Sequence, residues 1–341
     1  MIQVAEIPGR TLLLEGKERL YFGGTAYLGL PSHLTFQDLL IHNIRRWGTA
    51  YGSSRNANVQ LKAYGEGEQY LSQLARTEAA VTVSSGMLAG KLAIDTLTAS
   101  SNRFFHFPGH HPAIHAVGSE PFYREGDLHP ALLNDEQEDI TLLTDAVPSF
   151  QVQPVGLDDI GKISPAKRIT LVIDESHSLG ILGENGGGIM GGLHLPNVYR
   201  KIQVASLGKA YALSGGMIAS DREFIEKIQE ADCFVSGAGM NPAFVQTLFD
   251  ARPLFLGQRT KLMENLAYLG GLISGFDDLD FNTSYPVIYP HKETIHESLL
   301  QKDIVITHFK YPSSAKVLNR IVISAHHTHS DLERLAQSLG S

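Results

Sequence analysis

One cysteine, Cys233, stands in a chain of 341 residues, which rules out an internal disulfide framework or a cysteine-based zinc cluster. Charge is sparse as well. Asp, Glu, Lys and Arg make up 19%, against roughly 25% in an average globular chain. Basic residues are outnumbered 28 to 36, leaving a formal net charge of −8, and non-specific nucleic-acid binding needs clustered Lys and Arg. No apolar run reaches the ~18 residues of a membrane-spanning helix. The N-terminus, MIQVAEIPGRTLLLEGKERLYF, lacks the basic-then-apolar order of a signal peptide. Nor is there an internal repeat, a low-complexity tract or a linker. A soluble, cytoplasmic enzyme is expected, with no nucleic-acid or membrane partner and with any two domains tightly joined.

What the chain has in excess is glycine, 33 residues, and a recurring order of apolar strand, small-residue turn and helix. AAVTV at 79–83 ends in Ser84-Ser85-Gly86 and is followed by a helical pattern, MLAGKLAIDTLTA. RITLVI at 168–173 ends in Asp174, and IQVA at 202–205 ends in Ser206-Leu207-Gly208-Lys209. Continuous apolar strands alternating with helices predict a parallel sheet covered on both faces, and ligands of such sheets sit at the carboxyl ends of strands. Helical spacing is also predicted at 34–47, around 66–78 and at the C-terminus. SYPVIYP, KDIVITHFKYP and RIVISAHH read as later strands. The expected organisation is a large α/β domain over 41–235 and a smaller α+β domain made of 1–40 and 236–341.

The residues with chemistry to offer fall just after the strands. A lysine in a partly dry pocket loses basicity and becomes a nucleophilic amine able to form a Schiff base, which makes Lys209 a candidate. Asp174 ends a buried strand, where an unpaired carboxylate is costly. An aldehyde cofactor with a protonated ring nitrogen, pyridoxal phosphate, would use both. Its phosphate would suit the helix opening at Ser85-Gly86-Met87, where free N–H groups and the helix dipole favour an anion, with Ser206 adding a hydroxyl.

DESHSLGILGENGGG at 174–188 resembles the D-E-A-H-S-x-G-x-x-G-x-x-G motif of the α-oxoamine synthases, which are fold-type-I pyridoxal-phosphate enzymes. TAYLGLPSH at 25–33 is similar to their N-D-Y-L-G-L-x-x-H, YGSSR at 51–55 to G-x-G-G-S-R, and SSGMLAG at 84–90 to S-S-G-[FY]-x-A-N. SLGKAYALSGG at 206–216 is similar to T-L-S-K-A-F-G-x-x-G-G, and RIVISAHHT at 320–328 to R-[IL]-x-x-x-[ST]-A-x-H-T. Order and rough spacing hold over nearly the whole chain. The resemblance implies an α/β fold-type-I transferase whose large domain has a mostly parallel seven-stranded sheet, binding pyridoxal 5′-phosphate and acting as a homodimer. It implies Lys209 as the Schiff-base residue and acid/base, Asp174 on the pyridine nitrogen, and His177 on the ring 3-oxygen. His111 would stack on the ring, although His106, His110 and His115 crowd the same segment and leave the register open. Ser85, Gly86, Met87, Ser206 and Ser149 would contact the cofactor, and Arg320 would grip the substrate carboxylate. His326, His327 and His329 are expected to be solvated surface histidines. Arg55 and Tyr27 are assigned only loosely, to a dimer interface or a site wall.

Departures from the pattern gather on the substrate side. The family's usual start is several tens of residues earlier. Its D-E-A-H alanine is Ser176, the serine before the lysine is Gly208, and the S-M-D-G-D tail is SFQVQ at 149–153. A glycine and a histidine expected after Arg55 are Val59 and Tyr64, and SGAGMNP at 236–242 replaces S-T-A-L-P-P, leaving Ser236 as its one hydroxyl. The loop YPSSAKVLN before Arg320 is about two residues short. The leading expectation is decarboxylative condensation of a small amino acid with an acyl thioester. Transamination or aldol cleavage on the same cofactor is the alternative enzyme reading, and a cofactor-binding protein that has lost catalysis is the third.

Overall fold

The structure is a computed structural model that describes residues 2–99, 103–310 and 317–340. β1 (Thr11–Leu14) and β2 (Lys17–Phe22) form a hairpin turned by Glu15 and Gly16, both at positive φ, as a two-residue turn requires. α1 (Leu34–Trp47) follows, then α2 (Lys62–Ala75), β3 (Ala79–Val83) and α3 (Gly86–Thr98). β4 (Arg103–His106) leads through three two-residue strands, β5 (Glu120–Pro121), β6 (Tyr123–Arg124) and β7 (Asp127–Leu128), to β8 (Glu138–Asp145), β9 (Lys167–Asp174), β10 (Val198–Ser206) and β11 (Gly216–Ser220). The helices α4 (Arg222–Glu230), α5 (Asp232–Ser236), α6 (Pro242–Asp250) and α7 (Arg252–Ile273) come next. β12 (Leu279–Asn282), β13 (Tyr285–Pro290), α8 (Ile295–Gln301), β14 (Ile304–Lys310), β15 (Val317–Val322) and α9 (His329–Leu339) complete the chain.

Two sheets organise these elements. The seven-stranded sheet runs β3-β11-β10-β9-β8-β4-β5. Its strands from β10 to β5 are parallel, and β11 is antiparallel to both of its neighbours. This is the mostly parallel seven-stranded sheet implied by the family resemblance. β8 is buried continuously over its last six residues and β9 likewise, because helices and loops cover both faces and no alternating polar side is tolerated. Leu142, Leu171 and Ile173 are fully buried in it, each stabilising the fold by about 2 kcal/mol relative to exposure. The six-stranded sheet runs β1-β2-β14-β15-β13-β12 and so draws on both ends of the chain. The proposed boundary at 40/41 falls inside α1.

The two sheets meet over one apolar cluster. Phe22, Tyr27, Leu28 and Leu30 from the N-terminal segment pack with Leu207, Tyr211 and Leu213 after β10 and with Ile321 and Ile323 near β15. This packing carries β15 to the carboxyl edge of the large sheet, where the chemically loaded turns emerge.

Candidate active site

β8 and β9 pair in parallel register with Asp145 beside Asp174, the last residue of each strand. Both are buried, at 6% exposure. Asp174 Oδ1 accepts the Ser176 N–H at 2.8 Å, an Asx-type turn that redirects the chain and brings up His177. The His177 ring lies between two partners: Nε2 is 2.9 Å from Lys209 Nζ, and Nδ1 is 2.8 Å from the Tyr27 hydroxyl. Burial chiefly, then the charges of Lys209, Arg320 and His111, hold the His177 imidazole well below its usual pKa. The ring is therefore neutral and can accept a hydrogen bond from the lysine amine.

Lys209 follows β10 on a loop that closes on itself through Leu207 N–H to Gly215 O (3.0 Å) and Leu213 N–H to Leu207 O (3.0 Å). Burial lowers its pKa and Arg320 adds to that, while Asp174 and Asp145 oppose. The loss of basicity expected of a nucleophilic amine thus has a physical source. Arg320 is buried on β15, with one guanidinium nitrogen donating to Gly24 O at 3.2 Å. The Gly24 N–H in turn donates to Thr307 Oγ1 at 3.0 Å, and Thr307 is the β14 residue in register with Arg320.

His111 opens a short 3-10 turn over Pro112–Ile114 and accepts the Ala113 N–H at Nδ1, 3.1 Å away. Its own N–H donates to Asp145 Oδ1 at 2.8 Å. Burial lowers its pKa, Asp174 opposes, and Lys209 and Lys91 add, so it shares the electrostatic neighbourhood of the strand-end residues. His106, His110 and His115 form a separate group: His110 Nε2 lies 2.9 Å from His115 Nδ1, and the His106 and His110 rings are 4.5 Å apart.

Ser85 caps α3 by accepting the Leu88 N–H at 3.1 Å. The first-turn N–H groups of Gly86 and Met87 have no intrahelical acceptor, while the Met87 side chain is 48% exposed. A Cβ on Gly86 would sit 2.6 Å from Ser206 Cβ, and one on Gly216 would sit 2.3 Å from Ser85 O, so only glycine lets the α3 N-terminus meet the ends of β10 and β11. Ser206 donates its N–H to Ser176 Oγ at 2.8 Å, and its hydroxyl accepts the Gly208 N–H at 3.3 Å. Ser176, in place of alanine, thereby ties the turns after β9 and β10 together.

Not every candidate joins this group. Ser149 is exposed in the turn after β8, and its side chain makes no hydrogen bond among the described residues. Its neighbour Phe150 adopts positive φ and faces Tyr289 at 5.9 Å between ring centroids. Ser236 is exposed at the end of α5. The YPSSAKVLN loop lies largely outside the described residues, which omit 311–316. One expectation is corrected outright. His327 is buried at 5%, stacks on Phe22 at 4.0 Å, donates to Tyr21 O and accepts the Ser324 N–H. His326 is also partly buried, against Gly29, and of the three only His329 lies on the surface. Tyr27, given little weight from sequence, is fully buried against His177. Asp145 was not singled out, although EDITLLTD and KRITLVID are parallel signals, two apolar strands each delivering an aspartate to its carboxyl end.

Comparison with known proteins agrees with this geometry. The family described as Aminotransferase class I and II matches residues 152–339. An 8-amino-7-oxononanoate synthase of Petrotoga mobilis is 26% identical, over 98% of this chain and 92% of the relative. Its namesake in Thermoanaerobacter pseudethanolicus is 24% identical, over 97% and 90%. Among solved structures, a Sphingomonas wittichii serine palmitoyltransferase superposes with a TM-score of 0.80 at 18% identity, covering 99% of this chain and 90% of that one. The 8-amino-7-oxononanoate synthase of Francisella tularensis gives 0.70 at 20% identity, covering 94% and 98%.

Proposed function

The chain belongs to the aminotransferase class I and II family, and from that premise we propose that it is a pyridoxal 5′-phosphate-dependent acyltransferase. In this reading it condenses a small amino acid with an acyl thioester, with loss of carbon dioxide, as an enzyme related to the 8-amino-7-oxononanoate synthases. It works as a cytoplasmic homodimer. Among the described residues no helix is long and apolar enough to cross a membrane, and exposed Leu34, Ile41 and Val59 offer apolar surface to a second copy.

The observation that carries the reading is the meeting of Lys209, His177 and Asp174 at the strand ends, beside an anion cradle at the start of α3. The residues fit the cofactor. Asp174 Oδ2 has no hydrogen-bond partner among the described residues, whereas Oδ1 is held by Ser176, which suits a carboxylate meant for a protonated ring nitrogen. At Gly86 and Gly216 an added Cβ would collide with Ser206 and with Ser85 and Gly86, so glycine is what lets the start of α3 lie against Ser206 at the strand ends. Gly86, Met87 and Ser206 would hold the phosphate, His177 the ring oxygen, His111 the ring face, and Lys209 the aldehyde carbon. Ser149 joins this proposal on the family pattern alone. Bound there, pyridoxal phosphate supplies an electron-withdrawing ring that stabilises negative charge at an amino acid's α-carbon.

The chain's own groups do the rest. Arg320 offers a planar donor fork to a carboxylate, and its anchor to Gly24 O fixes the direction of that fork. Lys209 Nζ, depressed in basicity by burial, takes and returns the α-proton. Neutral His177, steadied by Tyr27, aims that amine.

The test mixes purified protein with pyridoxal phosphate, then with glycine, alanine or serine and an acyl thioester. The expected result is a visible cofactor band, lost in Lys209→Ala, and thiol release that requires both substrates. A band that persists in Lys209→Ala refutes the site. Thioester-independent conversion of the cofactor to pyridoxamine phosphate refutes the condensation.

A further inference from the structure

Asp145 has no part in the mechanism above, yet it occupies a costly position. It ends β8 in register with Asp174 at the end of β9, and neighbouring strands lie only ~4.8 Å apart. Two carboxyl groups therefore leave the same edge of the sheet side by side, both buried. Each has one main-chain donor: Ser176 N–H on Asp174 and His111 N–H on Asp145, both at 2.8 Å. The groups that face Asp145 are Asp174, His111 and Lys209. Adjacent buried carboxyls cannot both ionise cheaply, so such a pair retains a proton. Burial first, then the charge of Asp174, drives the Asp145 carboxyl well above the usual carboxylate range, against the pull of the His111 amide and Lys209. The hydrogen bond to His111 also has a mechanical effect. With its N–H on Asp145, its carbonyl accepting the Ile114 N–H at 3.1 Å and its Nδ1 on Ala113, His111 is held at both ends of its main chain and at its ring.

We propose that Asp145 is a positioning residue that seats His111 against the cofactor-binding face and keeps the single proton of the Asp145–Asp174 pair, so that charge is presented to the cofactor from Asp174 alone. This inference rests on the proposed function for its cofactor, but its first readout does not. In protein without added cofactor, the His111 ring is titrated by NMR in wild type, Asp145→Asn and Asp145→Ala. Asn keeps the acceptor oxygen and is neutral, so its His111 titration overlays wild type, while Ala displaces the midpoint by ~0.5 pH unit or more. With pyridoxal phosphate added, the pH midpoint of the visible band is read in the same proteins. Asn restores the wild-type midpoint and Ala shifts it.

If Asn shifts the band as far as Ala, Asp145 acts as an anion and the proton assignment is overturned. If Ala matches wild type in both readouts, Asp145 positions nothing. Should Ala fail to fold, Asp145→Ser gives the truncation, and the Asn comparison decides the proton by itself. If no variant, wild type included, takes up the cofactor, the proposed function fails while the His111 titration still decides the seating.

Discussion

Glu175→Gln tests how the turn beside the site is held. Glu175 is fully buried between Asp174 and Ser176. Its Oε1 accepts the Met190 N–H at 2.8 Å, its Oε2 accepts the Ser178 hydroxyl, and a Cβ on Gly188 would lie 2.6 Å from its carboxyl carbon. The glycine-rich turn is moulded around this one carboxyl group. Burial chiefly lifts its pKa from 4.5 to about 7, with Asp174 adding and the Ser178, Met190 and Ile189 donors opposing. Because the folded value is raised, the folded chain binds the proton more tightly than the unfolded one. That contribution to stability is complete below pH 4.5 and is lost as pH rises through 7. The gap amounts to about 3 kcal/mol.

Gln resembles the neutral acid. Its oxygen can still accept from Met190, and its amide can donate to Ser178 Oγ, whose hydroxyl has the Glu175 carbonyl within reach at 3.1 Å. Urea unfolding of wild type and Glu175→Gln at pH 4.5, 6 and 8, without cofactor, reads the difference. The two proteins are expected to unfold at similar urea at pH 4.5, with the variant gaining up to about 3 kcal/mol by pH 8. Stability curves that stay parallel in pH would refute the buried neutral acid. A variant much weaker than wild type at pH 4.5 would show that Gln cannot take over the hydrogen bonds.

Three further outcomes are expected. Gly86→Ala brings a Cβ within 2.9 Å of the Ser206 N, Cα and Cβ atoms; it should cost ~1–3 kcal/mol in a denaturant melt and weaken pyridoxal phosphate binding in a fluorescence titration. Tyr27→Phe removes the hydroxyl from His177 Nδ1; a loss of ~1 kcal/mol in orientation should lower kcat/KM about fivefold, and a change under twofold would show that Tyr27 does not aim His177. His327 is held near pKa 4, chiefly by burial, so its stabilisation is complete above its unfolded value of 6.5 and is lost as pH falls towards 4. His327→Gln should flatten the acid branch of the unfolding curve by up to about 3 kcal/mol, the difference from wild type removing the parallel contribution of His110, also held near 4.

The readable parts of this fold are those that local pattern determines. The helix at 34–47 and the strand at 79–83 match α1 and β3, because amphipathic spacing and a β-branched run each leave one favourable conformation. The strand ends were legible for the same reason: a buried apolar run that stops at Asp174 or Ser206 must deliver that residue to the sheet edge. Tertiary neighbours were not legible. Nothing around His327 says that Phe22 and the Tyr21 carbonyl, some 300 positions earlier, take one ring nitrogen and one ring face out of water. Tyr27 could be placed against His177 only from the hydrogen bond that joins them across 150 positions. Asp145 could be valued only from its register with Asp174.

Two of the departures from the family pattern are coupled in space, Tyr64 and the segment 236–242. The Tyr64 hydroxyl donates to Met240 O at 2.7 Å, so the tyrosine that replaces a histidine reaches the segment that has lost its hydroxyl residues. A Cβ on Gly239 would lie 3.3 Å from the Tyr64 hydroxyl and 3.1 Å from Arg55 Cδ, and Arg55 stacks over the Tyr64 ring at 3.7 Å. The Arg55 charge is committed to Glu68 at 2.9 Å, and Glu68 accepts the Thr82 N–H and hydroxyl as well. A side chain at 239 would press on the Tyr64 hydroxyl and the Arg55 stem, so the ring at 64 and the glycine at 239 fit together. Tyr64 and Gly239 therefore belong to one packed unit with Arg55, beside a cavity of about 480 Å³ that Tyr64, Arg55 and Glu68 help to line, whereas Ser176 and Gly208 lie on the turns after β9 and β10. Lys209, Asp174 and His177 lie on different turns, fixed by the large sheet, and do not depend on that unit. Divergence could therefore remodel this region as a block, leaving the geometry that handles an amino acid on pyridoxal phosphate in place.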